Sequence, residues 1–202
     1  VLDSWRGLAA LLVAYGHLSV SGELADFLLA ARPGRFVDFF FVLSGFVIAH
    51  SSGERIANAP AEGGRFLIRR VARLWPLHAF MLLLLVIYQL ALLGANAAQI
   101  VGEPKAFSDG FALSALPSNL LLIQAWGVEA INTRNEPAWS ISTEMAAYLC
   151  FALATMVFGR RAWLILSALG LGCALYAVAH PEIMRANVRL AVVRCLGGFG
   201  FG

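Results

Sequence analysis

Apolar runs long enough to bury a helix in lipid, separated by short connectors that carry arginine, leave this chain few folds to choose from. The runs are Gly7 to Val20, Phe36 to His50, Leu77 to Gly94, Ala138 to Phe158, Ala162 to Ala179, and one that opens at Val188. A backbone surrounded by hydrocarbon must satisfy its own amides, which only helices and closed barrels do, and these runs lack the alternation of barrel strands. Composition points the same way. Of the 202 residues, 60% are apolar and 13% charged, and the mean hydropathy is +0.76, well outside the range of soluble domains. The expected fold is all-α, a polytopic transmembrane helical bundle of about six spans with the lipid bilayer as its solvent.

The formal charge of +3 comes from 15 basic residues, all but Lys105 arginine, against 12 acidic ones. The arginines gather in the connectors, as topogenic charges do, so no nucleic-acid surface is expected. Arg55, Arg65, Arg69, Arg70 and Arg73 lie between the second and third runs, which places that connector and the amino terminus in the cytoplasm. Arg160 and Arg161 belong on the same side only if the segment Leu113 to Trp126, interrupted by Pro117, Ser118 and Asn119, is re-entrant or interfacial and does not cross. Cys150, Cys173 and Cys195 sit in apolar runs at spacings that suit neither zinc nor a short disulfide loop, so free thiols and no metal site are expected. No cleavable signal peptide is visible. The chain begins without Met and stops inside an apolar run, so residues 1–202 are read as one partial transmembrane domain truncated at both ends.

Ionisable side chains inside apolar runs carry the functional signal, because each costs free energy in lipid. Arg6 and His17 stand eleven apart on the first run, which on a helix is about 16 Å along the axis and close to the same face. With the amino terminus inside, Arg6 sits at the cytoplasmic headgroups and His17 in the outer half of the bilayer. Topology alone accounts for the arginine. For the imidazole the plain alternative is a neutral ring bonded to a neighbouring carbonyl. Asp38 opens the second run and either reaches the interface or meets a cation or imidazole; Ser44 and Gly45 after it let another backbone approach closely. Arg70 and Arg73 share a helix face and suit an anionic ligand such as phosphate, although positive-inside topology explains the charge count equally well. Ser140, Glu144 and Tyr148 form a polar stripe at four-residue spacing, in which Glu144 can hold a proton or orient a histidine; a contact for packing specificity is the alternative.

Taken in order, Leu-Asp-x-x-Arg-Gly-Leu-Ala-Ala with His17, Phe-Phe-x-Leu-Ser-Gly-Phe, Arg-x-x-Arg-Leu-x-Pro and Trp-Ser-x-Ser-x-Glu resemble the membrane acyltransferase 3 family from Leu2 to about Tyr148. Arg194, Gly198 and Phe199 resemble its next, weaker motif. The departures are Ser4-Trp5 before Arg6 and Trp75 where tyrosine is commoner. The resemblance implies about ten spans in all, and an O-acyltransferase moving an acyl group, usually acetyl, from cytoplasmic acyl-CoA to a carbohydrate or lipid-linked glycan hydroxyl. It implies His17, Glu144 and Ser140 as the catalytic set and Arg6, Arg70 and Arg73 as the acyl-CoA contacts. Asp3, Asp38, Phe39, Phe40, Ser44, Gly45 and Trp139 would line the site. A thioester is already activated, so no bound cofactor is expected, and the setting implied is a bacterial inner membrane.

Two readings from other classes stand beside it. A proton-coupled transporter would use the same His, Glu and Arg as a relay, with discontinuous spans in inverted repeats as its signature. A structural membrane subunit would lose only assembly when His17 or Glu144 is neutralised.

Overall fold

The computed structural model describes residues 2–16, 34–108, 111–129, 135–180 and 190–202. Seven α-helices lie among them: α1 (Leu2–Gly16), α2 (Gly34–Asn58), α3 (Ala61–Ala97), the short α4 (Leu116–Leu120), α5 (Trp139–Phe158), α6 (Ala162–Ala179) and α7 (Ala191–Phe201). The described residues are all-helical or irregular, as the apolar runs require. Arg35–Asn58, Ala61–Ala97 and Trp139–Ala179 are long and apolar enough to cross a membrane, the last being α5 and α6 joined through a tight turn at Gly159–Arg161. Large apolar side chains such as Leu77, Leu83 and Ile87 on α3, and Trp163, Leu175 and Val178 on α6, remain exposed, the surface expected of helices that face lipid.

Helix directions follow from which side chains meet. Phe41 of α2 packs edge-on against Trp139 of α5, and at the far ends of the two helices Gly159 comes close to the Ala57 carbonyl, so α2 and α5 run parallel. Arg194 of α7 reaches Asp38 and Trp139, while Phe199 reaches Tyr148 and Phe151, so α7 runs parallel to both. Phe66 of α3 meets Tyr148 and Phe151, and Gly63 meets Met156, which makes α3 antiparallel to α5. Gly170 faces Gly200 and Ala174 faces Gly197, which makes α6 antiparallel to α7. Three parallel helices thus form the centre of the bundle, flanked by two that return.

Lipid offers no hydrophobic force between helices, so close packing and polar pairs hold them. A Cβ on Gly45 would run into the carbonyl oxygen of Phe199, and one on Gly170 would lie 2.7 Å from the Gly200 Cα. Small residues at these crossings let backbones touch, the role the sequence assigned to Gly45. At the other extreme of size, Phe41, Phe66, Trp139, Tyr148, Phe151 and Phe199 form the buried core. Asp38 meets a cation: Arg194 donates Nε to Oδ1 at 2.6 Å and Nη2 to Oδ2 at 3.0 Å, with its guanidinium 5.4 Å from the Trp139 ring centre. Arg194 is buried, so its charge needs this partner.

Because α3 leaves the Arg-rich end and α5 returns to it, the chain between them begins and ends on the same side of the bundle. The segment Leu113 to Trp126 accordingly does not cross. It is broken into a 3₁₀ turn at Leu113–Ala115, the five-residue α4 and a wide turn at Gln124–Val128 in which Gly127 takes φ +85°. Side chains of the neighbouring helices satisfy its backbone. Trp75 Nε1 donates to the Leu120 carbonyl and His78 Nε2 to the Asn119 carbonyl, each at 2.9 Å. Ser142 Oγ donates to the Leu122 carbonyl at 2.8 Å and accepts from the Ala125 amide at 3.2 Å. Irregular backbone at membrane depth is tolerated only where protein supplies such partners. Gly159–Arg161 ends up near Ala57, and Gly63 near Met156, so Arg55, Arg65, Arg160 and Arg161 collect at one end of the bundle.

Two helices run past the expected boundaries. α2 continues from His50 to Asn58, and α3 begins at Ala61, sixteen residues before Leu77. Glu62 supports that early start, pairing with Arg65 at 2.5 Å and Arg69 at 3.6 Å along one helix face, and Phe66 anchors it to α5. The three cysteines are free thiols.

Replacing Asp38 by Ala should destabilise the bundle by about 3–5 kcal/mol, by stranding a buried guanidinium. Asp38→Leu combined with Arg194→Met should recover much of that loss in a detergent thermal melt; a double variant no better than either single one refutes the pair's structural role. Cysteines introduced at Gly102 and Asn135 should label with an impermeant maleimide from the same side of the membrane, and one at Arg160 from the opposite side.

Candidate functional site

Glu144 stands on α5 about 8 Å along the axis from Trp139 and about 22 Å from Gly159. Two hydroxyls from different helices converge on one of its oxygens. Ser44 of α2 donates Oγ to Oε1 at 2.6 Å, and Tyr148, one turn further along α5, donates its phenol hydrogen to the same atom. Oε2 has no hydrogen-bond partner among the described residues. Ser44 and Tyr148 thus anchor the carboxylate through Oε1.

Two cavities meet at this carboxylate. The smaller, about 130 Å³, is lined by Ser44, Val47 and Ile48 of α2, Arg70, Arg73 and Leu74 of α3, and Glu144 and Tyr148 of α5. The larger, about 580 Å³, is bounded by Ala10, Val13 and Ala14 of α1, Val37 and Phe41 of α2, and Pro137 and Ser140. Phe40, Ser44 and Glu144 border both, forming the partition between them.

Arg70 lies 5.1 Å from the Phe66 ring centre and 5.4 Å from that of Tyr148, held by cation–π contacts. Among the described residues no carboxylate pairs with Arg70 or Arg73, and no hydrogen bond occupies their donors. Two arginines lining one small cavity carry the planar donor forks that could bind a phosphate or another multiply charged anion.

The remaining expected site residues fall as follows. His17 lies outside the described residues, as do the side chains of Asp3 and Arg6. Phe40 borders both cavities, whereas Phe39 is exposed on the outer surface of α2. Gly45 and Trp139 belong to the helix crossing and the aromatic core. Asp38 is engaged with Arg194 and stands at the end of α2 away from the smaller cavity.

One expected contact differs in the structure. Helical spacing pairs Ser140 with Glu144, but the Ser140 Oγ donates to the Pro137 carbonyl at 3.0 Å, and Ser44 and Tyr148 hold the carboxylate in its place. A serine in the first turn finds the open carbonyl beneath it more readily than a side chain above it. Arg70 and Arg73, which the sequence places on the cytoplasmic side, line the same cavity as Glu144, because α3 carries them more than two turns into the bundle before Leu77. Sequence reasoning gave no role to Ser142, the second serine of Trp-Ser-x-Ser-x-Glu, or to His78. A hydroxyl two residues from Glu144 and a histidine in an apolar run were the available signals.

Residues 1–191 match the family model described as an acyltransferase domain. Protein 2 in picA locus of Rhizobium radiobacter is 32% identical over 164 residues, which cover 75% of this chain and 80% of that protein. Acyltransferase MdmB of Streptomyces mycarofaciens is 33% identical over 141 residues, 68% of this chain but only 29% of MdmB. No solved structure gives a significant match.

Ser142→Ala should cost about 1–3 kcal/mol of stability, since it leaves a buried carbonyl and amide without their shared partner. The same change should speed hydrogen exchange in residues 120–126 before it affects α6; unchanged exchange there refutes the tether.

Proposed function

The chain belongs to the acyltransferase 3 family, and from that premise we propose that it moves an acyl group, acetyl by default, from a cytoplasmic acyl-CoA to a hydroxyl of a carbohydrate or lipid-linked glycan. It would do so as an integral protein of a bacterial inner membrane, with the Arg-rich end of the bundle and the amino terminus in the cytoplasm. The observation that carries the reading is the shared cavity: Arg70 and Arg73 face the same small space as Glu144, and Glu144 also borders a second chamber open to α1.

In this reading the diphosphate of CoA rests on the two guanidiniums, whose planar forks match phosphate oxygens, with Arg6 near the entrance. The thioester then lies beside Ser44 and Glu144. The acceptor enters from the larger chamber, and its hydroxyl oxygen attacks the thioester carbonyl carbon. The proton passes to a base, the C–S bond breaks, and the leaving thiolate takes up a proton to give CoA and the O-ester. His17 is the candidate base and Glu144 its orienting or relaying partner. By three-to-four spacing, the stripe Ala10, Val13 and Ala14 that borders the larger chamber is the one to which the sequence assigns Arg6 and His17. The activated thioester supplies the driving force, so no further cofactor is invoked.

Membranes carrying the protein, given acetyl-CoA labelled in the acetyl group, should transfer label to a glycan fraction. His17→Ala and Glu144→Gln should each abolish transfer at an unchanged membrane level. Arg70→Ala and Arg73→Ala should each raise the KM for acetyl-CoA roughly 10- to 100-fold, the worth of a charge-assisted hydrogen bond. Full transfer by His17→Ala, or substrate uptake without label transfer, refutes the proposal, the second outcome in favour of a proton-coupled transporter.

A further inference from the structure

Arg70 and Glu144 come from antiparallel helices and perform different tasks in the proposed reaction, yet one side chain touches both. Tyr148 is buried on α5, with its ring 5.4 Å from the Arg70 guanidinium and its hydroxyl donating to Glu144 Oε1. It has little freedom to move. Phe66 packs edge-on against it at 5.9 Å between ring centres, and Phe199 does so from α7 at 6.4 Å. The ring is therefore a fixed platform for the cation, and the hydroxyl a fixed donor for the carboxylate.

We propose that Tyr148 is a positioning residue that couples donor binding to the acid–base step, its ring seating Arg70 for the anionic end of the acyl donor and its hydroxyl locking the rotamer of Glu144. The inference rests on the acyl-transfer reading above. Ser44 and Tyr148 both donate to Oε1, so the Tyr148 bond helps determine which carboxylate oxygen remains open. Ser44 donates from α2 but offers the arginine no ring to rest on, and Phe66 offers a ring but no polar side-chain atom for the carboxylate, so neither combines the two contacts. The two roles of Tyr148 reside in different atoms and are separable by substitution.

Tyr148→Phe retains the platform and removes the donor. It should leave the KM for acetyl-CoA within about twofold of the parent while lowering kcat about 10- to 100-fold, the loss of one hydrogen bond to a charged group. Tyr148→Leu removes both and should add a rise in that KM of roughly tenfold, the worth of a desolvated cation–π contact. A purely structural role would shift the two constants together in both variants. The assay is label transfer by the intact protein in membranes, with isothermal titration of CoA onto the purified protein as a second readout of the arginine seat. Tyr148→Phe with the parent's kcat overturns the inference, as does Tyr148→Phe with KM and CoA affinity weakened tenfold. If Tyr148→Leu does not fold, those two outcomes for Tyr148→Phe still decide it. Absence of acyl transfer by the parent protein overturns the acyl-transfer reading and this inference together, whereas transfer by the parent with an unaffected Tyr148→Phe overturns this inference alone.

Discussion

A carboxylate enclosed by apolar helices has to be answered by hydrogen-bond donors, and here the answer to Glu144 comes from a second helix as well as its own. That requirement ties α2 to α5 at one level. Asp38 and Arg194 tie α2 to α7 at another, about 9 Å nearer the start of α2. Since lipid tails are as apolar as leucine, burial of leucine does not set the register of one helix against another. Polar pairs and the small residues at the crossings do. The contacts that fix the bundle's register are thus, in good part, the contacts that build its candidate site.

The same scarcity of partners explains the broken segment between α3 and α5. A chain that leaves helical geometry inside a membrane frees amides and carbonyls that no water can reach. Trp75, His78 and Ser142 take up that demand, and α3 and α5 can then begin and end where they do without another crossing. The arginines at the opposite end consequently fall together on one side, which is the arrangement that a membrane with an inward-positive bias rewards.

Helix length has its own chemical consequence. Had α3 begun near Leu77, Arg70 and Arg73 would belong to a connector at the surface; beginning at Ala61, it presents them to the cavity that contains Glu144. Arg70, Arg73 and Glu144 thus line one small space, with a larger chamber across the partition, and the proposed transfer from a charged donor to a hydroxyl acceptor draws on that arrangement.

Much of this was legible in the amino-acid order. Lipid admits so few backbone solutions that apolar length alone specified an all-α bundle, and Ala162 to Ala179 coincides with α6 to the residue. Arginine placement specified which connectors share a side, and with it the return of the segment Leu113 to Trp126. Motif order pointed to the family. What helical spacing reports, however, is the face of a helix on which a residue stands and not the helix that face will meet. Ser140 shares a stripe with Glu144 and yet bonds backbone, while Ser44, a hundred residues away, holds the carboxylate. Arg194 as the partner of Asp38, Tyr148 as the link between Arg70 and Glu144, and the shared cavity itself were settled only when the parallel and antiparallel helices packed, because each depends on a register set by contacts between distant segments.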